Sequence, residues 1–217
     1  MSLVDQAEEE ISRLIDTGAF EAGERLSIAR VAKQFGTSVV PIREAMARLH
    51  SRKVLSFEPN KGYAVAPPLG EAEIERMVDA RLALELGALD VGFKRLTAGS
   101  VAGLRAINDE IRAREFSATV DDYRAFVKLN ERFHMRLVGI ADNGFLTDAY
   151  EAIGYHKRIA RALRERGVHD IASLIAEHDA IIAALDAGDR EASRDRLRAH
   201  ITDSWRRARD AGLYGEL

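Results

Sequence analysis

Apolar residues recur at helical spacing from the start of the chain: Val4, Ala7, Ile11, Leu14 and Ile15 share one face, and the pattern stops at Thr17-Gly18. This predicts a first helix over about 3–16. Gly23 permits a turn, Ser27 suits the N-cap of a short helix carrying Val31, Ala32 and Phe35, and Gly36 closes it. Ser38 suits the N-cap of a third helix running to about Ser51, with Pro41 in its first turn, where a missing N–H costs nothing. Val54–Phe57 and Tyr63–Ala66, on either side of Pro59-Asn60-Lys61-Gly62, read as the strands of a hairpin. Pro67-Pro68-Leu69-Gly70 is the clearest break. Beyond it the pattern is helical throughout, with amphipathic helices predicted at about 71–95, 98–115, 118–141, 143–166, 169–187 and 189–211.

Helix, helix, Gly-containing turn, helix and hairpin is the order of a winged helix-turn-helix. In that motif the third helix enters the DNA major groove and the wing contacts backbone or minor groove. The expected fold is mainly α. A winged helix-turn-helix of three helices plus a two-stranded wing occupies 1–68, and an all-α bundle of six or so helices occupies 69–217. A length of 217 residues accommodates two such domains. With 47% hydrophobic and 31% charged residues, the chain is excluded from the disordered class. The acidic start, and the lack of an apolar run long enough for a bilayer, point to a cytoplasmic protein with no membrane partner. Without cysteine there is neither a disulfide framework nor a thiolate metal site, so a metal would need His, carboxylate or amide ligands.

The net charge of −3 gives no sign of a nucleic-acid partner, but the distribution of charge does. Between Arg25 and Gly62, the basic residues Arg25, Arg30, Lys33, Arg43, Arg48, Arg52, Lys53 and Lys61 face only Glu44 and Glu58. A solvated charged face would give the same count. What favours double-stranded DNA is coincidence with the motif: Arg43, Arg48, Arg52 and Lys53 fall on or just after the third helix, and Lys61 is at the wing tip beside Gly62. Phosphate neutralisation supplies sequence-independent affinity, and an arginine reaching guanine O6/N7 supplies specificity.

In the second half, polar residues sit where core residues belong. Arg81 and Glu85 interrupt the stripe Ile74, Met77, Val78, Ala88 and Leu89. Asn130 and His134, four apart, lie within Tyr123, Phe126, Val127, Phe133 and Leu137. His178 lies among Ile171, Leu174, Ile175, Ile181, Ile182 and Leu185, and Leu197, Ile201 and Trp205 flank His200. A lone buried histidine is more often a hydrogen-bonded core residue than a ligand. Three on the inward faces of three helices, with an amide one turn away, would each cost about 1–3 kcal/mol if left unpaired. They must satisfy one another or something bound. Imidazole nitrogens with an oxygen donor suit a divalent transition metal such as Zn, Ni, Mn or Fe.

The segments Gly23-Glu24-Arg25-Leu26-Ser27, Gly36-Thr37-Ser38-Val39-Val40-Pro41-Ile42-Arg43-Glu44-Ala45-Met46 and Asn60-Lys61-Gly62-Tyr63 resemble the GntR family of bacterial repressors and activators over about residues 3–68. The resemblance implies that Arg43 contacts the operator, that Ser38 caps the recognition helix against a phosphate, and that Gly62 lets the wing approach DNA. Together with the basic footprint, the expected DNA-binding residues are Arg25, Arg30, Ser38, Val39, Val40, Arg43, Arg48, Lys61 and Gly62. One departure stands out. The family usually places Arg then Thr after the serine, and here Val39 and Val40 stand there; a valine can contact a thymine methyl.

The helical half resembles the FCD effector domain over about 70–212, through Ala80-Arg81-Leu82-Ala83-Leu84-Glu85, Asn130-Glu131-Arg132-Phe133-His134, Glu177-His178-Asp179-Ala180-Ile181 and Arg198-Ala199-His200. The resemblance implies that Arg81 faces the same cavity as the histidines and pairs with the carboxylate of a small organic-acid effector, so Arg81 and Glu85 are the expected effector-binding residues. A buried pair between Arg81 and Glu85 is the alternative. Family members with a metal commonly have Asp at the position of Asn130, so the ligand set is either Asn130, His134, His178 and His200 or the three histidines alone. The whole reads as a homodimeric regulator of a roughly palindromic operator. Two other classes compete: a metal-dependent enzyme with a three-histidine site, and a helical adaptor whose core histidines are simply satisfied.

Overall fold

The computed structural model describes residues 2–117, 119–156, 158 and 170–210. Contacts divide the chain between Leu69 and Gly70. The N-terminal unit opens with α1 (Leu3–Asp16), where the Ser2 hydroxyl accepts the Asp5 N–H and the Asp5 carboxylate accepts the Ser2 N–H, satisfying two orphan donors at once. Next come β1 (Arg25–Leu26), α2 (Ile28–Gln34), α3 (Val39–Ser51), β2 (Leu55–Glu58) and β3 (Gly62–Val65). Helix α1 packs on α3. Ala7, Ile11 and Ile15 meet Ile42, Ala45, Met46 and Leu49 there, over the sheet residues Leu26, Leu55 and Val65, in one apolar core.

The two-stranded wing is present as the β2–β3 hairpin, and its sheet gains one further strand, β1. The sheet has three strands in the order β1-β3-β2, all antiparallel, with Arg25 opposite Ala64 and Leu26 opposite Tyr63. A two-residue strand is too short to carry an alternating pattern, so nothing in its sequence announces it. The hairpin closes through the Lys61 N–H to the Glu58 carbonyl at 3.0 Å, with Asn60 at φ 65°. Pro59 and Asn60 at the two central positions are the residues a type II turn favours.

The C-terminal unit is helical among the described residues: α4 (Glu71–Gly92), a 3-10 turn (Phe93–Arg95), α5 (Ala98–Ala113), α6 (Val120–Gly139), α7 (Gly144–Ile153), α8 (Ile171–Asp186) and α9 (Arg190–Asp210). Thr97, Thr119 and Asn143 each accept a backbone N–H at a helix start, the usual work of such residues. Helix α4 packs against α6, α7 and α9, while α8 packs against α5 and α9. Gly92 allows the end of α4 to lie on the end of α6, because an added Cβ would stand 2.7 Å from the Ala141 nitrogen and the Ile140 carbonyl carbon.

The fourth predicted helix of this half is shorter than expected. It ends at Ile153, where Gly154 adopts φ 59° and ψ 31°, a left-handed stop that glycine takes without a Cβ clash. Tyr155 and His156 are helical again, and the remainder of the predicted span, 157 and 159–166, lies outside the described residues.

Candidate metal centre and nucleic-acid interface

The polar residues that interrupt the apolar stripes meet inside the helical unit. His134 on α6, His178 on α8 and His200 on α9 are all buried, and one nitrogen from each lies within 4.8 Å of the others. Each ring is held from behind. His134 Nδ1 lies 2.7 Å from a Glu85 oxygen, His200 Nδ1 lies 2.8 Å from a Glu177 oxygen, and His178 Nδ1 lies 3.1 Å from the Asn108 side-chain oxygen. The Asn108 amide donates to the Ile175 carbonyl and to Asp179, which fixes its oxygen toward His178. His178 also stacks on Phe133, with ring centroids 3.7 Å apart.

Those partners set the tautomers. A carboxylate or amide oxygen can only accept, so each Nδ1 must carry the proton and each Nε2 must present a lone pair. His134 Nε2 and His200 Nε2 then face each other at 3.2 Å with no proton of their own to share, and His178 Nε2 is buried with no partner among the described residues. Burial pushes the His134 and His178 imidazoles well below their usual range, reinforced by the Arg81 charge at His134 and by His200 at His178. It lowers His200 too, against the raising effect of Glu177. The rings are therefore neutral near pH 7, and one nitrogen from each of the three lies within 4.8 Å of the others: a donor set that fits a cation.

Arg81 and Glu85 form a buried ion pair at 2.5 Å, so the structure contains the pair weighed above as the alternative for Arg81. The same guanidinium donates from Nη2 to His134 Nε2 at 2.7 Å and lies 4.4 Å over the Tyr155 ring. Burial opposes its charge, but Glu85, Tyr150 and Tyr155 together more than offset this and hold its pKa above the usual value. From Glu85 a row of donors runs outward: the Tyr150 hydroxyl donates to Glu85, the His156 Nε2–H to the Tyr150 oxygen, and the Asn130 amide N–H to His156 Nδ1, at 3.1, 3.2 and 3.4 Å. The Asn130 side-chain oxygen is left buried and unpartnered among the described residues.

In the N-terminal unit, Ser38 caps α3 through its backbone while its hydroxyl makes no capping bond. Val39 and Val40 are 41% and 66% exposed. Arg43 is exposed and makes no hydrogen bond or ion pair among the described residues. Other members of the basic footprint are engaged. Arg48 contacts Asp5 at 3.2 Å and Glu44 at 2.6 Å, Arg30 contacts Glu24 at 2.6 Å, Lys61 contacts Glu58 at 2.7 Å, and Arg52 pairs with Glu8. Arg25 donates to the Lys61 carbonyl at 2.9 Å, which ties β1 to the wing tip, and Gly62 takes φ 80°. Asp5 and Glu8 come from α1, outside the window in which the charges were counted, so that count overstated the free positive charge.

A family model described as "Bacterial regulatory proteins, gntR family" matches residues 3–65, and one described as "FCD domain" matches residues 76–203, more than half of the chain. The chain belongs to the gntR family, in the branch with an FCD domain. It is similar to the HTH-type transcriptional regulator McbR of Escherichia coli, with 24% identity over 89% of this chain and 87% of that protein. Similarity to the uncharacterized HTH-type transcriptional regulator YdhC of Bacillus subtilis reaches 26% identity, over 88% of this chain and 84% of the other. The structure of E. coli McbR/YncC shares the fold with a TM-score of 0.72 at 23% identity, covering 99% of this chain and 98% of that one. The family and these relatives are transcription regulators, which sets the enzyme reading aside. No helix among the described residues is long and apolar enough to cross a membrane.

For this gntR-family chain, the sequence pattern found Arg81, Glu85, Asn130, His134, His178 and His200 but missed the residues behind them. Asn108 was findable, because it interrupts the stripe Val101, Leu104 and Ile111 in the same way. His156 and Tyr150 were not marked by any helical stripe, and Glu177 lies at a position that reads as surface.

Proposed function

We propose that this regulator binds a roughly palindromic double-stranded operator as a homodimer in the cytoplasm, through residues 1–68. Residues 69–217 sense a small carboxylate effector beside a divalent transition metal. The observation that carries the sensing role is the grouping of three buried imidazoles within 4.8 Å of one another, with His178 Nε2 and the Asn130 oxygen unsatisfied among the described residues. His134, His178 and His200 would hold the metal, with Asn130 as a weaker neutral donor. When bound, such an ion supplies a Lewis-acidic position that can take a carboxylate oxygen. Arg81 and a metal would draw on the same His134 lone pair. The guanidinium N–H that gives way is then available to the effector carboxylate, which couples the two ligands.

The DNA-binding role rests on α3, whose exposed face carries Ser38, Val39, Val40 and the unpaired Arg43, with the Gly62 wing tip in the same unit. Operator selection in vitro, followed by binding with and without chelator across a panel of small carboxylates, tests the whole reading. One class of carboxylate should change operator affinity, and chelation should remove that response. A selected operator whose affinity no carboxylate or metal alters would refute the sensing role. Asn130→Asp should tighten metal binding and His178→Ala should abolish it; unchanged metal content in both variants would rule out this ligand set.

A further inference from the structure

Val39 and Val40 are not explained by the fold. They are exposed on the first turn of α3, outside the apolar core that takes Ile42, Ala45, Met46 and Leu49. Two β-branched residues also gain the helix nothing, since they are stiff at χ1 and weak helix formers. Their neighbours on the exposed side are informative. Residues 40, 43 and 47 lie at i, i+3 and i+7, and residues 39, 43 and 47 at i, i+4 and i+8, so Val39, Val40, Arg43 and Ala47 share one face. All four are exposed. The face is thus an apolar surface around a single unpaired cation.

We propose that this face reads thymine methyl groups: Val39, Val40 and Ala47 pack against 5-methyls in the major groove, around a contact made by Arg43. The proposal rests on the reading of α3 as the recognition helix and deepens it by naming the chemistry of the half-site. The thymine methyl is the apolar group that a base pair presents in the major groove, and small aliphatic side chains are its natural partners. Arg43, with no carboxylate to neutralise it, supplies the charge complementarity that brings this apolar face onto a polyanion. The half-site should therefore be rich in thymine on either side of the Arg43 contact.

The test uses the full chain and its selected operator, with each half-site thymine replaced in turn by uracil, which removes the methyl and leaves the pairing edge intact. Loss of one buried methyl contact is expected to weaken binding about fourfold at one or more positions. In Val39→Ala or Val40→Ala the same uracil replacement should cost nothing further, as coupled partners require. Both valines are exposed, so circular dichroism should show these variants folded. If no replacement weakens wild-type binding, or if the loss persists undiminished in both valine variants, methyl readout by this face is overturned while DNA binding stands. A selection that returns no preferred sequence overturns the operator reading and this inference with it.

Discussion

The N-terminal unit keeps a core of aliphatic and aromatic residues and carries its unusual residues outside, where Val39 and Val40 face solvent and Arg43 is unpaired. The C-terminal unit does the reverse. Its interior holds the buried polar and charged residues Arg81, Glu85, Asn108, His134, His156, His178 and His200. Each unit breaks the inside–outside rule, in opposite directions. The contrast follows from what each must meet. A base edge in a groove presents a flat target to a protruding helix, while a small ligand is best gripped in a cavity that excludes water. Residues that lower stability where they stand are the ones most worth interrogating.

Four measurements would sharpen or break that contrast. The largest effect is expected from Glu85→Ala, which strands a buried guanidinium and should cost the C-terminal unit about 3–5 kcal/mol in urea unfolding. A loss below about 1 kcal/mol would mean that Arg81 finds other partners, and the interior network would be peripheral to stability. Metal addition comes next. At a hundredfold excess over the dissociation constant, a metal that binds only the folded state should stabilise this unit by about 2.7 kcal/mol, a gain that chelation reverses. Identical melting with zinc, manganese or chelator would break the comparison at its centre. Gly92→Ala, which drives a Cβ into the backbone at Ile140–Ala141, should cost about 1–3 kcal/mol. The smallest effect belongs to the N-terminal unit: Val40→Ser should leave stability within about 0.5 kcal/mol of wild type. A larger fall would show that this valine serves the fold.

Much of this was legible in the sequence because both deviations are deviations from a period. Helical stripes located α1, α3 and α4–α6 closely, and polar residues inside those stripes marked Arg81, Glu85, Asn130 and the three histidines. Features that depend on contacts distant in sequence were not legible. The two residues of β1 become a strand only by pairing with β3. The carboxylates of Asp5 and Glu8 neutralise Arg48 and Arg52 only because α1 packs on α3. The groups around the site, Asn108, Glu177, Tyr150 and His156, are chosen by geometry between separate segments, and only Asn108 left a trace in its own stripe. Gly154 was overlooked because one glycine inside a helical pattern does not by itself end a helix.

The row from Asn130 through His156 and Tyr150 to Glu85 has a polarity. Every member passes its hydrogen in the same direction, toward the carboxylate at the end, and no link can be turned round alone without setting two donors or two acceptors head to head. Placing an acid at the far end from Glu85, Asn130→Asp, therefore does more than add a negative charge. An aspartate cannot donate to His156 Nδ1, so the imidazole must move its hydrogen to that nitrogen, Tyr150 must turn its hydroxyl toward the vacated Nε2, and Glu85 loses a donor. A single amide-to-acid exchange thus reverses a sentence read across four side chains, and an asparagine at this position dictates how a tyrosine and a histidine on neighbouring segments are spelled.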